Sequence, residues 1–185
     1  MESFNSSLIV KWKERYDKLL SVMIKIVTNF RIMPNMRHNQ TIVLLADGFD
    51  EVPTITVITA LRDAGLRTKL VGLRSKPTAG SHGIVLIPDL SLSQLLETRT
   101  SISTLIVPGG GGHLERLRQD PRVNLILQRS TDSNVAFVTI GQGADKLLKE
   151  YVGDGPQCLS LYAEGLRTNE LGCQIVNWLL ETERE

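Results

Sequence analysis

The stretch Thr41-Ile-Val-Leu-Leu-Ala46, broken at Asp47-Gly48, decides how the rest of the chain is read. An unbroken apolar run of this length, without alternation, marks a strand covered on both faces, as in parallel sheets. Pro53 falls where a helix opens, since the first turn tolerates its missing N–H. Val57, Leu61 and Ala64 supply that helix's inner face, and Gly65 stops it. Thr68-Lys-Leu-Val-Gly-Leu73 then reads as a second strand.

The same rhythm continues toward the C-terminus. Ile84-Val-Leu-Ile87 is another apolar piece, followed by Pro88-Asp89 and a helix capped near Ser91. Thr104-Leu-Ile-Val107 reads as a third central strand, ending in Pro108-Gly-Gly-Gly-Gly112. A helical stretch covers His113 to Ser130, with a break expected at Pro121. Val135-Ala-Phe-Val-Thr-Ile140 is the next strand, and Gly141-Gln-Gly143 leads into a helix ending at Tyr151. Cys158-Leu-Ser-Leu161 is a last strand, and Thr168 to Leu180 a closing helix. Strands alternating with helices predict an α/β fold, a doubly wound parallel sheet flanked by helices. Ligands of such sheets bind beyond the carboxyl ends of the strands. Three loops fall there: Asp47-Gly-Phe-Asp-Glu51, Pro108-Gly-Gly-Gly-Gly-His113 and Ile140-Gly-Gln-Gly-Ala144.

Composition narrows the class. The 185 residues are 42% hydrophobic and 22% charged, too apolar for a disordered chain and too mixed for a membrane bundle. A net charge of +1 gives no overall field to steer nucleic acid. Cys158 and Cys173 cannot form a disulfide framework, and no Cys/His cluster has zinc spacing. The expectation is a reduced, cytoplasmic protein with no metal and no cofactor. Both thiols are expected to be buried and structural.

Residues 1–38 differ from the rest and are set apart from a domain spanning residues 39–185. All four methionines lie in this segment, and it carries a local charge of +4, leaving about −3 for the remainder. Trp12, Tyr16, Leu19, Met23, Ile26 and Phe30 recur at three- and four-residue steps, which puts them on one stripe of an amphipathic helix. Ser6 or Ser7 caps its start, and Pro34 forbids continuation. Lys25 and the lack of a small-residue cleavage site argue against a signal peptide. Three readings stay open: a helix packed on the domain or a second subunit, a membrane-surface helix through residues 6–31, or translation starting downstream at Met33 or Met36.

The ordered set "IVLLADGFDEVP", "ALRDAGLRTKLVGL", "LIPDLSL", "LIVPGGGG", "FVTIGQGA" and "EGLRTNELGCQIVNWLL" resembles the DJ-1/PfpI family of the class I glutamine amidotransferase-like superfamily. The resemblance covers about residues 41 to 181 and implies a flavodoxin-like sheet and a homodimer or larger assembly. It also implies a cysteine on a sharp strand-to-helix turn, in a pattern like I-C-x-G, with a glutamate shortly after the first strand bonded to the thiol. Here the turn reads Ile140-Gly141-Gln142-Gly143, and Pro53 stands at the matching glutamate position. Glu164 replaces an arginine often found before the last glycine-rich turn. The segment from Val152 to Gln157 is too short to carry the family's histidine.

No catalytic residue is therefore assigned. The candidate binding residues are Gly109, Gly110, His113, Gly141, Gln142, Asp50 and Glu51. Backbone N–H groups at Gly109, Gly110, Gln142 and Gly143 suit an anion pocket beside helix N-termini. Asp47, Asp50 and Glu51 read either as a solvated first-turn cluster or as part of a site. The tetraglycine lacks the Gly-Lys-Ser/Thr ending of a nucleotide loop, so it signals close backbone approach, to a ligand or to the neighbouring loop. Three functions follow as expectations: a pseudoenzyme binding a small anion or a protein; a hydrolase or lyase using His113 with Asp50 or Glu51; or a self-associating scaffold.

Overall fold

The computed structural model describes residues 40–98, 100–133, 135–152, 158–161 and 168–182. The expected N-terminal helix lies outside them. They fall within one compact unit, Met36–Glu185.

The described residues form eight strands and six helices. In chain order they are β1 (Gln40–Leu45), α1 (Glu51–Asp63), β2 (Thr68–Gly72), β3 (Thr78–Ala79), β4 (Val85–Leu86), β5 (Leu90–Ser91) and α2 (Leu92–Glu97). There follow β6 (Ile102–Pro108), α3 (Gly111–Gln119), α4 (Pro121–Asp132), β7 (Ala136–Ile140), α5 (Ala144–Val152), β8 (Cys158–Leu161) and α6 (Thr168–Thr182). Six strands form a parallel sheet in the order β5-β2-β1-β6-β7-β8. The doubly wound parallel sheet is thus the architecture found.

Ile42, Val43, Leu44 and Leu45 of β1 have no exposed surface, because both faces of the central strand are covered. Ile42 and Leu44 join Leu105, Val107 and Phe137 against α2–α5, through Leu95, Leu117, Ile126 and Leu147 among others. Successive strand residues face opposite ways, so the other face is left to α1 and α6. These two helices pack closely: a Cβ on Gly172 would run into Ala60.

Local chemistry explains the boundaries. Gly65 adopts φ +77° just beyond α1. Ser91 makes a reciprocal capping box with Gln94 at the start of α2. The stretch from His113 to Ser130 is two helices: Asp120 accepts from the Arg122 N–H and Pro121 opens α4, so the chain turns there. Ile84–Ile87 does not join the main sheet; Val85–Leu86 pairs antiparallel with Thr78–Ala79 in a separate hairpin. The edge strand is instead Leu90–Ser91, beside Val71 and Gly72.

The chain leaves β1 toward β2 on one side and returns to β6 on the other. The carboxyl ends of β1 and β6 are therefore the switch point, where diverging loops open a crevice.

Candidate active-site elbow

Backbone geometry brings the three expected loops together. The Asp50 N–H donates to the Gly109 carbonyl at 3.0 Å. A Cβ on Gly110, at φ +114°, would run into the Gly48 carbonyl. Only glycine permits both the positive φ and this approach. The glycine-rich loop thus packs on the first loop, one of the two roles its composition allows.

Gly141 and Gly143 have φ of +88° and +82°, so the strand-to-helix turn is a sharp elbow without a side chain at its apex. Asp50 fills the space beside it. Asp50 is the N-cap residue of α1, yet its side chain makes no capping bond. Its Oδ2 lies 2.8 Å from where a Cβ on Gly109 would sit and 3.2 Å from the corresponding point on Gly141. The Gln142 N–H is also close, 3.3 Å from that point on Gly109. Burial pushes the Asp50 carboxyl above its ordinary range, helped by the Glu51 charge and opposed by His82.

Glu51 is not part of a solvated cluster. It is 3% exposed, and its Oε1 accepts the His82 and Ile84 N–H groups at 2.8 and 2.9 Å. Oε2 pairs with His82 Nδ1 at 2.6 Å. Gly80 has to be glycine, because a Cβ there would overlap the Glu51 carboxylate. Burial alone would raise the Glu51 pKa, but the bonds from Ile84 and His82 outweigh it and leave the carboxyl below its usual range. Glu51 fastens the segment at residues 80–84 to the start of α1. Asp47 remains exposed and accepts the Ala79 N–H at 2.9 Å.

His113 lies within α3 rather than in the loop, and it is fully buried. Its Nδ1 lies 2.9 Å from the Ala46 N–H and 3.1 Å from the Ala46 carbonyl, so it bonds the Ala46 backbone as acceptor or donor according to the ring's tautomer. Nε2 is buried without a partner among the described residues. Burial drives the ring's pKa down to about 4, against a smaller upward pull from the Ala46 backbone and with the Arg116 charge adding to the drop. Neither Asp50 nor Glu51 is bonded to it.

The elbow therefore gathers Asp50, Gly109, Gly110, Gly141 and Gln142, while Glu51 and His113 are engaged elsewhere. Sequence reasoning missed His82, whose bond to Glu51 spans 31 residues and leaves no local pattern. Cys158 is exposed and Cys173 partly so, and the expected burial of both is not met. Among the described residues no group of three His, Cys, Asp or Glu side chains could hold a metal, and no helix is long and apolar enough to cross a membrane.

Comparison with known proteins bears on the fold and the family. The zebrafish (Danio rerio) Parkinson disease protein 7 homolog is 26% identical over 121 residues, covering 65% of this chain and 64% of that protein's length. The solved structure of oxidized Toxoplasma gondii DJ-1 superposes with a TM-score of 0.62 at 17% identity, covering 79% of this chain and 93% of that one. Drosophila melanogaster DJ-1beta gives a TM-score of 0.64 at 18% identity, covering 79% and 92%. These structural likenesses speak for the fold. The DJ-1/PfpI family model matches residues 39–177, and the chain with the glycine elbow and its neighbouring carboxylate belongs to the DJ-1/PfpI family.

Proposed function

We propose that this chain is a binding member of its family that works without cysteine chemistry and takes a small anionic ligand. The observation that carries the loss of cysteine chemistry is the side-chain-free elbow at Gly141. A nucleophile needs a side chain at the elbow, and glycine has none. The acid–base alternative is poorly served, because His113 is enclosed and its Nδ1 is bonded to Ala46.

The test is turnover by the purified full chain of a glutamine amide and of an α-oxoaldehyde, beside a cysteine-bearing relative. No turnover above the uncatalysed rate is expected. Turnover at the relative's rate overturns the reading. A protein partner is the competing outcome: it predicts no thermal stabilisation by any small anion, whereas a ligand at 100 times its Kd adds about 2.7 kcal/mol.

A second reading, compatible with the first, is self-association. Val52, Ile84, Val85 and Ile87 are large apolar residues left between 46% and 75% exposed. Glu51 ties the start of α1, where Val52 follows it, to the backbone at His82 and Ile84. An apolar surface shared by these segments suits a second copy of the chain.

A further inference from the structure

Beside the elbow, on the β2 side of the switch point, a cavity of about 590 Å³ opens between the ends of β1 and β2 and the α3–α4 corner. Its wall carries Arg74, Lys76, Arg116 and Arg122 against only two acids, Asp47 and Asp120. In a domain whose remainder is net negative, this is a local concentration of positive charge. We infer that this cleft, rather than the elbow, binds the ligand, and that the ligand is a small molecule with a dianionic head group.

Both acids are already committed. Asp47 accepts the Ala79 N–H. Asp120 binds Arg122 through both oxygens, and this pairing holds its carboxyl below the usual range. Arg122 is further fixed by Ser93 Oγ at 2.6 Å and the Leu73 carbonyl at 3.0 Å, so it forms a rigid floor and not a free donor. Arg116 is braced by the carbonyls of Asp47 and Gly112, at 3.1 and 2.8 Å, through a single nitrogen, Nη1. Its Nε and Nη2 retain donors for a ligand.

Arg74 and Lys76 are exposed on the loop after β2, and their side chains make no hydrogen bond among the described residues. Arg116 with two free nitrogens, Arg74 with a guanidinium that makes no hydrogen bond but acts on Asp120 through its charge, and Lys76 match a phosphate or a dicarboxylate. The volume leaves room for more than the head group. The Asp50 carboxylate makes the elbow the poorer anion site, although backbone N–H groups line it. This inference rests on the binding reading above and gives its ligand a chemistry and a place.

The experiment is calorimetric titration of the full chain, at low ionic strength, with inorganic phosphate, glycerol 3-phosphate and succinate. Saturable one-to-one binding is expected, and phosphate ester against dicarboxylate tells which dianion fits. Arg74→Ala/Lys76→Ala should weaken binding by about tenfold or more, as expected for losing charge-assisted bonds. Arg129→Ala, whose guanidinium holds the carbonyls of Leu96 and Thr98 elsewhere, should leave the affinity unchanged. Unchanged affinity in the double variant overturns the cleft. If Asp50→Asn then alters binding, the ligand sits at the elbow and the binding reading survives. Absence of saturable binding by all three probes also overturns the cleft, while the turnover assays decide the binding reading separately.

Discussion

Asp50 Oδ2 lies 3.2 Å from the point where a side chain on Gly141 would begin. The elbow has a positive φ, and a carboxylate from the first loop borders the space that a side chain at its apex would fill. The two residues are 91 positions apart and meet because β1 and β6 are neighbours, with β7 beside β6. Their juxtaposition makes the chemistry of the elbow testable by substitution at either end.

A thiol introduced by Gly141→Cys would stand beside a carboxylate, which disfavours the thiolate, against the lowering effect of the helix N-terminus. The double variant Gly141→Cys/Asp50→Asn removes the opposing charge. Timed iodoacetamide labelling read by mass spectrometry should show position 141 reacting faster in the double variant than in the single one. Equal rates would mean that Asp50 does not face the elbow. Cysteine at φ +88° should also cost stability, by roughly 1–3 kcal/mol.

Asp50 alone predicts a stability difference of opposite sign. Its carboxyl titrates higher in the folded protein than in the unfolded chain because of burial. The linked stability is present below the unfolded pKa and is lost as pH rises through the folded one. Asp50→Asn should therefore raise the melting temperature at pH 7 and have little effect below pH 4. A lower melting temperature at pH 7 would show that the carboxylate is held by bonds stronger than its desolvation.

The main sheet was legible because its strands are short apolar runs bounded by Gly and Pro, and these follow from burial on both faces. The hairpin was not, since Thr78–Ala79 pairs with Val85–Leu86 over two residues each, too short for a period to register. The loops of the site could be named from strand ends alone. What they do inside the site could not, because Asp50 reads as a helix cap and Glu51 as a first-turn charge on local grounds. Their partners, Gly141 and His82, come from distant parts of the chain. His113 follows four glycines, so it reads as a loop residue, but the helix starts two residues earlier and turns it into the core. The cationic cleft draws Arg74, Lys76, Arg116 and Arg122 from two separate segments, with no motif linking them.

The exposed apolar residues give a prediction about assembly. Val85→Glu/Ile87→Glu places two charges on a surface already in water, so the monomer's stability should change by no more than about 0.5 kcal/mol per site. If this surface joins two copies, light scattering should show the wild-type chain at twice the monomer mass and the variant at the monomer mass. Identical masses would remove these residues from any interface.

His113 predicts acid sensitivity over a defined window. In the unfolded chain an imidazole titrates near 6.5, whereas burial holds this one at about 4. Between those values the unfolded chain binds the extra proton and the folded one does not, so stability falls as pH drops from about 6.5 toward 4. A difference of this size corresponds to about 3 kcal/mol lost over the window, at ~1.4 kcal/mol for each tenfold change in proton affinity. His113→Phe should abolish that slope, because nothing at position 113 can then charge. It should also lower stability at pH 7 by about 1–3 kcal/mol, since the buried bond between the ring and the Ala46 backbone is lost. Urea melts at pH 7, 5.5 and 4.5 compare the two proteins, and Glu51, which loses its contribution only as pH falls through its own depressed pKa, is common to both. Parallel slopes for wild type and variant would mean that the ring reaches water and titrates as an ordinary histidine.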